Sequence, residues 1–229
     1  MHLLAHTWLR RAALIAPAIC LCFLIASCDD FFVSERSIQS VKATPPAIIL
    51  MAAPTAGTNG DTFTLTSTAT TVGGTQTNDT ATATWSSSDS SIVTAAAGGV
   101  VTAVTTTGGQ SADVTAKDGG VTSNKVKVFV YTGSVPTSIN LTGTSGTVSP
   151  GSYQLKITLG SGGQDVTNFV EWTSSNTSVA TVSSTGLVTV LTSATAGATA
   201  TITATAHLGA PSGTTPPGPI TSTATFTAT

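Results

Sequence analysis

The side chains that most often carry chemistry are scarce in this chain of 229 residues. Beyond the first 27 residues the sequence has one histidine, His207, and one cysteine, Cys28. Nucleophilic catalysis needs a base beside the nucleophile, and a zinc site needs several histidines or cysteines together. The many serines also lack the Gly-x-Ser-x-Gly context of an α/β-hydrolase. The sequence therefore predicts neither a hydrolase nor a zinc site.

Carboxylates are the other candidates for catalysis, and Asp165 and Glu171 lie near each other in the sequence. Cleavage of a glycosidic bond would need two such groups facing into one cleft. Glu171 alternates with Val170 and Trp172, so a strand that buries those two side chains turns Glu171 toward solvent. The other aspartates do not follow the spacing of a calcium-binding loop. We therefore predict that the protein is not an enzyme and that it needs no metal or cofactor.

The composition favours an uncharged β-protein. Charged residues make up 8% of the chain, aromatic residues 5%, and the formal net charge is −2 at pH 7. Because no basic cluster is present, nucleic acid is not an expected partner. Short alternating runs rich in Thr, Ser, Val and Ala are separated by Gly, Asn, Asp and Pro, which is typical of strands and turns. So little charge also leaves strand edges without the residues that normally prevent edge-to-edge pairing.

Two similar segments begin at Trp85 and Trp172, 87 positions apart. The first reads WSSSDSSIVTAAAGGVVTA and the second reads WTSSNTSVATVSSTGLVTV. Further upstream, an offset of 90 aligns Leu65 with Leu155. This self-similarity indicates a tandem duplication of a unit of about 90 residues.

Each copy contains about seven short strand-like runs, a number typical of immunoglobulin-type sandwiches. Residues 198–206 and 220–228, for example, alternate apolar and polar side chains in the second copy. We therefore predict two tandem immunoglobulin-like antiparallel β-sandwiches, at residues 46–132 and 135–229. The linker between them is short and contains Pro136, which suggests an end-to-end rod with limited hinge motion.

The segment that begins at Trp172 closely resembles the bacterial immunoglobulin-like domain of group 2, and residues 135–141 fit the first strand of that family. The first copy departs from the motif, with Ile-Val-Thr-Ala at 92–95 and Gly-Gly-Val at 98–100. The resemblance covers about residues 45–229, and it implies an adhesive, structural or spacer module. The residues expected to form the structural core of the motif are Trp85, Trp172, Val179, Gly186, Leu187 and Val188.

Residues 1–27 have the pattern of a lipoprotein signal peptide that is removed. Arg10 and Arg11 precede an apolar run at 12–26, which is too short for a comfortable membrane span. The run ends in Leu-Ile-Ala-Ser-Cys at 24–28, which resembles a bacterial lipobox. This resemblance implies that Cys28 becomes the acylated first residue of the mature chain and anchors it to a membrane. An ordinary signal sequence with a chance cysteine is the alternative.

Residues 28–45 are interpreted as the lipidated cysteine and a tether. Asp29 and Asp30 directly follow the lipidated position and resemble a sorting signal for inner-membrane retention. That rule depends on the bacterial lineage, and ordinary soluble linker residues remain an equal alternative. The sequence thus predicts a lipid-anchored protein of the bacterial cell envelope, on the surface or on the periplasmic side.

The loop at 207–219 is the clearest difference between the two copies, because the first copy has only about three residues at this place. Loops carry binding functions more often than strands do. The candidate binding residues in it are His207, Leu208, Pro211, Pro216 and Pro217. A tolerated insertion without a ligand is the alternative.

We expect a non-enzymatic envelope protein that presents two immunoglobulin-like domains for adhesion or for binding an unknown protein or glycan. Addition of a partner strand to an exposed sheet edge is one physical route. A carbohydrate-binding accessory module is an alternative, for which Phe129, Tyr131 and Phe169 are the candidate exposed rings. The two tryptophans are interpreted as core residues instead, since such sandwiches bury a Trp at this place. A structural spacer without a ligand is the third possibility.

Overall fold

Strands form almost all of the regular structure in the computed structural model, which describes residues 36–160 and 163–229. The described residues form 21 strands and two 3-10 helices, so the expected all-β fold is confirmed. No helix in this part of the chain has the length and apolarity that crossing a membrane would require. The expected signal peptide and the expected roles of Cys28, Asp29 and Asp30 lie outside the described residues.

The first half of the chain, residues 38–131, contains eleven strands and one 3-10 helix at Ala97–Gly99. The strands are β1 (Ile38–Thr44), β2 (Ala47–Met51), β3 (Asp61–Thr64), β4 (Thr66–Thr71), β5 (Gln76–Asn78), β6 (Thr84–Ser87), β7 (Val93–Ala96), β8 (Val100–Ala103), β9 (Gln110–Asp118), β10 (Val121–Thr122) and β11 (Val126–Tyr131).

The second half, residues 139–228, contains ten strands and one 3-10 helix at Thr167–Phe169. The strands are β12 (Ile139–Thr142), β13 (Gly146–Val148), β14 (Gly151–Gln154), β15 (Lys156–Leu159), β16 (Glu171–Ser174), β17 (Ala180–Val182), β18 (Leu187–Val190), β19 (Thr199–Ala206), β20 (Ala210–Pro211) and β21 (Ile220–Ala228).

The two halves repeat one pattern of strand pairing. In the first half, β1 pairs antiparallel with β4, β2 pairs parallel with β11, and β6 pairs antiparallel with β9. In the second half, β12 with β15, β13 with β21, and β16 with β19 pair in the same three ways. The strand orders β3-β8-β7 and β14-β18-β17 match as well. Each half therefore has mostly antiparallel pairing with one parallel pair, a pattern that resembles an immunoglobulin-like sandwich.

Strand β1 lies in the segment that the sequence analysis assigned to the tether. Residues 38–44 pair with β4, and Val41 and Ala43 are buried in the core of the first half. The expected boundary at residue 46 is therefore displaced, and the first sheet begins at Ile38. The alternation is weak in the sequence because only Val41 and Ala43 of this strand are fully buried.

Strands β2 and β11 are buried on both faces, which explains the nearly continuous apolar run at 47–51. Their pairing places Ile48 opposite Val128 and Ile49 opposite Phe129. Ile48 and Val128 point into the core of the first half. Ile49 and Phe129 point the other way, into a second core.

That second core is shared between the two halves. Ile49, Phe129 and Tyr131 of the first half lie in one hydrophobic cluster with residues of the second half. The second-half members of this cluster are Ile139, Ile157, Leu159, Val166, Val170, Ala204, Ala206 and Leu208. The first half thus closes one end of the core of the second half. The expected limited hinge motion has a basis in this shared core rather than in the short linker alone.

Candidate ligand pocket

Trp85 and Trp172 occupy the same place in the two halves. The indole Nε1 of Trp85 donates to the carbonyl oxygen of Thr80 at 3.0 Å, and that of Trp172 donates to the carbonyl oxygen of Thr167 at 2.9 Å. Trp85 is buried in the core of the first half, and Trp172 is half-buried between two clusters of the second half. Both rings are therefore packed against apolar side chains, with their one polar atom satisfied.

Gly186 is required where it stands, because it lies at the edge of the Trp172 ring with a φ of +74°. A Cβ there would come within 2.9 Å of Cζ2 of Trp172 and within 2.7 Å of the carbonyl oxygen of Leu155. The Leu155 N–H donates to the carbonyl oxygen of Gly186 at 2.9 Å, which holds the turn against the strand. Gly99 has the same contacts with Leu65 and Trp85.

The other motif residues divide between the core and the surface. Val179 and Val188 are buried in the second half. Leu187 was expected in the core, but its side chain is 39% exposed. The alternation along β18 explains this correction, since it turns Val188 and Val190 inward and Leu187 outward.

The first part of the 207–219 loop is held against the first half. The Ile49 N–H donates to the carbonyl oxygen of His207 at 2.9 Å, and the Gly209 N–H donates to the carbonyl oxygen of Ile49 at the same distance. Leu208 between them is buried in the shared core. Strand β20 then pairs with β3, with Pro211 opposite Asp61. This part of the loop is therefore occupied by contacts within the chain.

The rest of the loop lies at the surface. Pro211, Pro216 and Pro217 are exposed, together with the other residues of 211–219. A binding role for these residues stays a prediction. Pro211 also forms part of the wall of a cavity between the two halves.

The side chains of His207 and Glu171 are hydrogen-bonded, with 3.0 Å between Nε2 and Oε2. The ring of Phe63 from the first half stands edge-on to His207 at a centroid distance of 6.5 Å. A carboxylate can orient a histidine base, but catalysis also needs a nucleophile beside it. Among the described residues, no hydroxyl group is hydrogen-bonded to the His207 ring. Asp165 does not join the pair, since its carboxylate accepts from the backbone and hydroxyl of Thr167.

The three rings considered for carbohydrate binding are not exposed platforms. Phe129 and Tyr131 are only 5% and 3% exposed, and the half-buried Phe169 packs on Phe129 at a centroid distance of 4.9 Å. The carbohydrate-binding alternative therefore lacks the exposed rings that it needs among these three candidates. They lie inside because β11 is covered by the second half, which the periodicity of one strand could not show.

A cavity of about 410 Å³ lies where the two halves, the linker and the long loop meet. We call it the junction pocket. Its walls come from residues 51–54, 59–61 and 132–133, from Thr106, and from Pro211 and Ser212. The volume lies in the range of small-ligand pockets, and most of the exposed wall is apolar.

Asp61 is the one ionisable side chain among the residues that line the junction pocket. It is 2% exposed, and its Oδ2 accepts from the Met51 N–H at 3.1 Å. Its Oδ1 is buried and makes no hydrogen bond within the described part of the chain. Burial raises the pKa of Asp61, although the bond from Met51 opposes the shift. Burial and the nearby Asp61 charge together raise the pKa of Tyr131 to about 12.

The sequence analysis did not identify this pocket. Its one signal was Asp61 itself, which is the only charged residue between Lys42 and Asp79. The walls come from segments up to about 160 positions apart in the sequence, so no local sequence pattern could predict that these segments lie together in the fold. Within the described ranges, no three His, Cys, Asp or Glu side chains come close enough together to hold a metal ion.

Three solved structures show a limited similarity to this chain. A fragment of the surface-layer protein SbsC, domains 4–9, is 22% identical over 84% of this chain and 30% of that fragment, with a TM-score of 0.31. The C-terminal 282-residue fragment of intimin, in complex with the intimin-binding domain of the translocated intimin receptor, is 18% identical over 84% of this chain and 64% of that fragment, with a TM-score of 0.24. The Yersinia pseudotuberculosis adhesin InvE is 16% identical over 85% of this chain and 61% of that chain, with a TM-score of 0.26.

The chain thus spans about a third of the SbsC fragment and less than two thirds of the other two proteins. No curated protein sequence matches the chain.

The family model for the bacterial Ig-like domain (group 2) matches residues 135–214. This match confirms the resemblance seen in the segment that begins at Trp172, and it covers most of the second half. Residues 135–214 of this chain are therefore similar to the group 2 bacterial Ig-like domain.

Proposed function

We propose that the protein is a non-enzymatic, lipid-anchored protein of the bacterial cell envelope that presents two tandem immunoglobulin-like domains to a partner. In this proposal the partner adds a strand to an exposed edge of the first half. The group 2 family match supports a binding or structural role rather than catalysis. The exposed edge of strand β5 is the observation that supports binding by strand addition.

Strand β5 is the last strand of its sheet, in the order β1-β4-β5. All three of its residues, Gln76–Asn78, are exposed, and Val72 in the preceding turn is 43% exposed. No charged residue occurs between Asp61 and Asp79, so this edge has none of the charges that usually block edge pairing. An uncharged, exposed edge offers backbone groups to an incoming strand.

The shared core makes the pair of halves a stable support for such an edge. Because β2 and β11 are buried between the two halves, the first half cannot swing away without exposing Ile49, Phe129 and Tyr131. A partner strand bound at β5 would therefore be held at one orientation relative to both halves.

The anchor in this proposal is Cys28, acylated after removal of residues 1–27. Because β1 starts at Ile38, about ten residues separate Cys28 from the first strand. The first half would then stand close to the membrane. Asp29 and Asp30 would lie at the membrane end of this connection, where a sorting role remains part of the proposal.

The β5 edge is tested with Thr77→Lys, which places a charge in the middle of the exposed strand. The matched control is Thr223→Lys, an exposed position on β21 of the second half, outside the sheet that contains β5. Cells that display each form are measured for adhesion to immobilised matrix proteins and to neighbouring cells. We expect Thr77→Lys to abolish adhesion and Thr223→Lys to preserve it. Equal adhesion of both variants and the wild type would contradict the edge mechanism.

The anchoring is tested by protease treatment of intact cells, with Cys28→Ala beside the wild type. Cleavage of the wild type at the surface, with release of Cys28→Ala from the membrane, would support a surface lipoprotein. Protection of the wild type would place it in the periplasm and would rule out the adhesion role. The second candidate function, a structural spacer without a ligand, would then remain. The shared core between the two halves also favours that function.

A further inference from the structure

The junction pocket has walls suited to an apolar body. Backbone and small or apolar side chains dominate it, including Ala52, Ala53, Pro54 and Pro211. The first half, the linker and the long loop each contribute a wall, so a molecule in this cavity would touch all three. Burial of a compact apolar group there would remove it from water on several sides.

The base of the junction pocket carries an uncompensated carboxyl group. Asp61 is almost fully buried, and its Oδ1 has no hydrogen-bond donor within the described residues. None of the residues that line the pocket is Lys, Arg or His, so no wall supplies a counter-ion. A buried carboxylate with one hydrogen bond and no counter-ion is costly.

The fold itself does not require an acid at this position. The pairing of β3 with β8 and of β14 with β18 places Phe63 and Tyr153 opposite equivalent valines. Asp61 therefore corresponds to Gly151, which begins the matching strand of the second half. The second half builds the same strand without a carboxyl group, which points to a role for Asp61 other than folding.

We propose that the junction pocket binds a small molecule or chain end that carries a primary ammonium group on a short apolar body, with Asp61 as the counter-ion. The apolar walls take the body, and the free Oδ1 accepts from the ammonium. Oδ1 is shielded from solvent, so access requires a small movement of the wall at Pro211 and Ser212. Pro211 belongs to strand β20, which pairs with β3 over only two residues, and Ser212 follows it. Around the buried Oδ1 atom of Asp61, which is shielded from solvent, a charge-assisted hydrogen bond is strong.

The proposal is independent of the β5 edge and is tested by a titration of the purified protein. The probe is n-butylammonium. The controls are n-butanol, which has the same butyl body without a charge, and butyrate, which has the same number of carbons and the opposite charge. Amide resonances of Ala52, Ala53, Thr132 and Ser212 report occupancy by NMR. We expect saturable shifts of these amides with n-butylammonium, and at least about tenfold weaker binding of n-butanol and of butyrate.

Two variants separate recognition by Asp61 from simple filling of a cavity. Asp61→Asn keeps the shape and removes the charge, and we expect it to weaken n-butylammonium binding at least about tenfold. Ser212→Trp fills the mouth from an exposed position and should abolish the shifts while leaving Asp61 in place. Asp89→Asn, an exposed aspartate outside the pocket, is the control and should bind like the wild type.

Equal binding of n-butylammonium to the wild type and to Asp61→Asn would overturn the proposal, as would the absence of shifts in the wild type. Equal affinity for n-butanol would also overturn it, because the pocket would then select only for an apolar body.

Discussion

The rings of Phe129 and Phe169 lie 4.9 Å apart, centroid to centroid, across the boundary between the two halves. Phe129 belongs to the last strand of the first half, and Phe169 to the 3-10 helix that precedes β16 in the second half. This contact lies in the shared core, so the stability of the second half depends on side chains of the first.

The shared core is tested by Phe129→Ala. We expect it to lower the free energy of unfolding by about 3 to 5 kcal/mol, because a buried aromatic ring is lost and a cavity is left. Amides of Ala204 and Ala206 in the second half should lose protection in hydrogen exchange. Lys127→Ala, an exposed position on the same strand, is the control and should change little. Loss of protection confined to the first half would contradict a shared core.

The close contact at Gly186 predicts a specific cost for a methyl group. Gly186→Ala and Gly197→Ala both place a side chain at positive φ, which costs about 1 to 2 kcal/mol. At Gly197 a Cβ meets nothing within 4 Å, whereas at Gly186 it meets Trp172 and Leu155. We therefore expect Gly186→Ala to be less stable than Gly197→Ala by about 1 to 3 kcal/mol in urea denaturation. Equal stabilities would show that the Trp172 contact gives way without cost.

Replacement of the buried Asp79 by an apolar residue is expected to stabilise the folded protein. It is buried in the first half, and neither of its carboxylate oxygens makes a hydrogen bond within the described residues. The offset between the two tryptophans aligns it with Val166, which is buried in the second half. Asp79→Val should therefore raise the free energy of unfolding by about 1 to 3 kcal/mol, because an unsatisfied polar group is removed.

The control for Asp79→Val is Asp89→Asn, which also introduces the residue found at the matching position, Asn176. The new side chain can still accept from Ser91, as Asn176 accepts from Ser178. We expect no measurable change in stability, because this side chain is exposed. A loss of stability in Asp79→Val would mean that the carboxyl group has a role in the folded protein.

The pKa shifts of Asp61 and Asp113 have opposite directions, so the two side chains should affect the pH dependence of stability in opposite ways. Burial raises the pKa of Asp61 above its unfolded value, so the folded chain holds that proton more tightly. The resulting stability is complete below the unfolded pKa and is lost as the pH rises through the folded pKa. Asp61→Asn should therefore gain stability relative to the wild type as the pH rises from about 3 toward neutrality, in thermal denaturation series.

Asp113 has the reverse sign. The hydrogen bond from Lys125, at 2.9 Å, and the nearby Lys127 lower the pKa of Asp113. Its contribution is present above the unfolded pKa and is lost as the pH falls through the folded value. Asp113→Asn should thus differ most from the wild type at neutral pH and least in acid. The same pH trend in both variants would contradict the assigned shifts.

Several features of this protein follow from local sequence alone. Alternation of apolar and polar residues placed the strands around 198–206 and 220–228, because the two faces of a strand have different surroundings. The repeat that begins at Trp85 and Trp172 was visible because both copies keep the same Trp-to-glycine spacing, which one turn geometry demands. The resemblance of the second half to the group 2 bacterial Ig-like domain was also predicted from those residues.

Tertiary structure decided which faces meet. Phe129 and Tyr131 could have faced solvent by pattern, and only the packing of the second half buries them. Leu208 looked like part of a free loop, yet its backbone neighbours bond to Ile49, far away in the sequence. Asp61 became part of a cavity only when Pro211 came to lie opposite it. Local pattern reports how one strand divides its own two faces, whereas contacts between distant segments depend on how whole sheets pack, and that packing created both the shared core and the junction pocket.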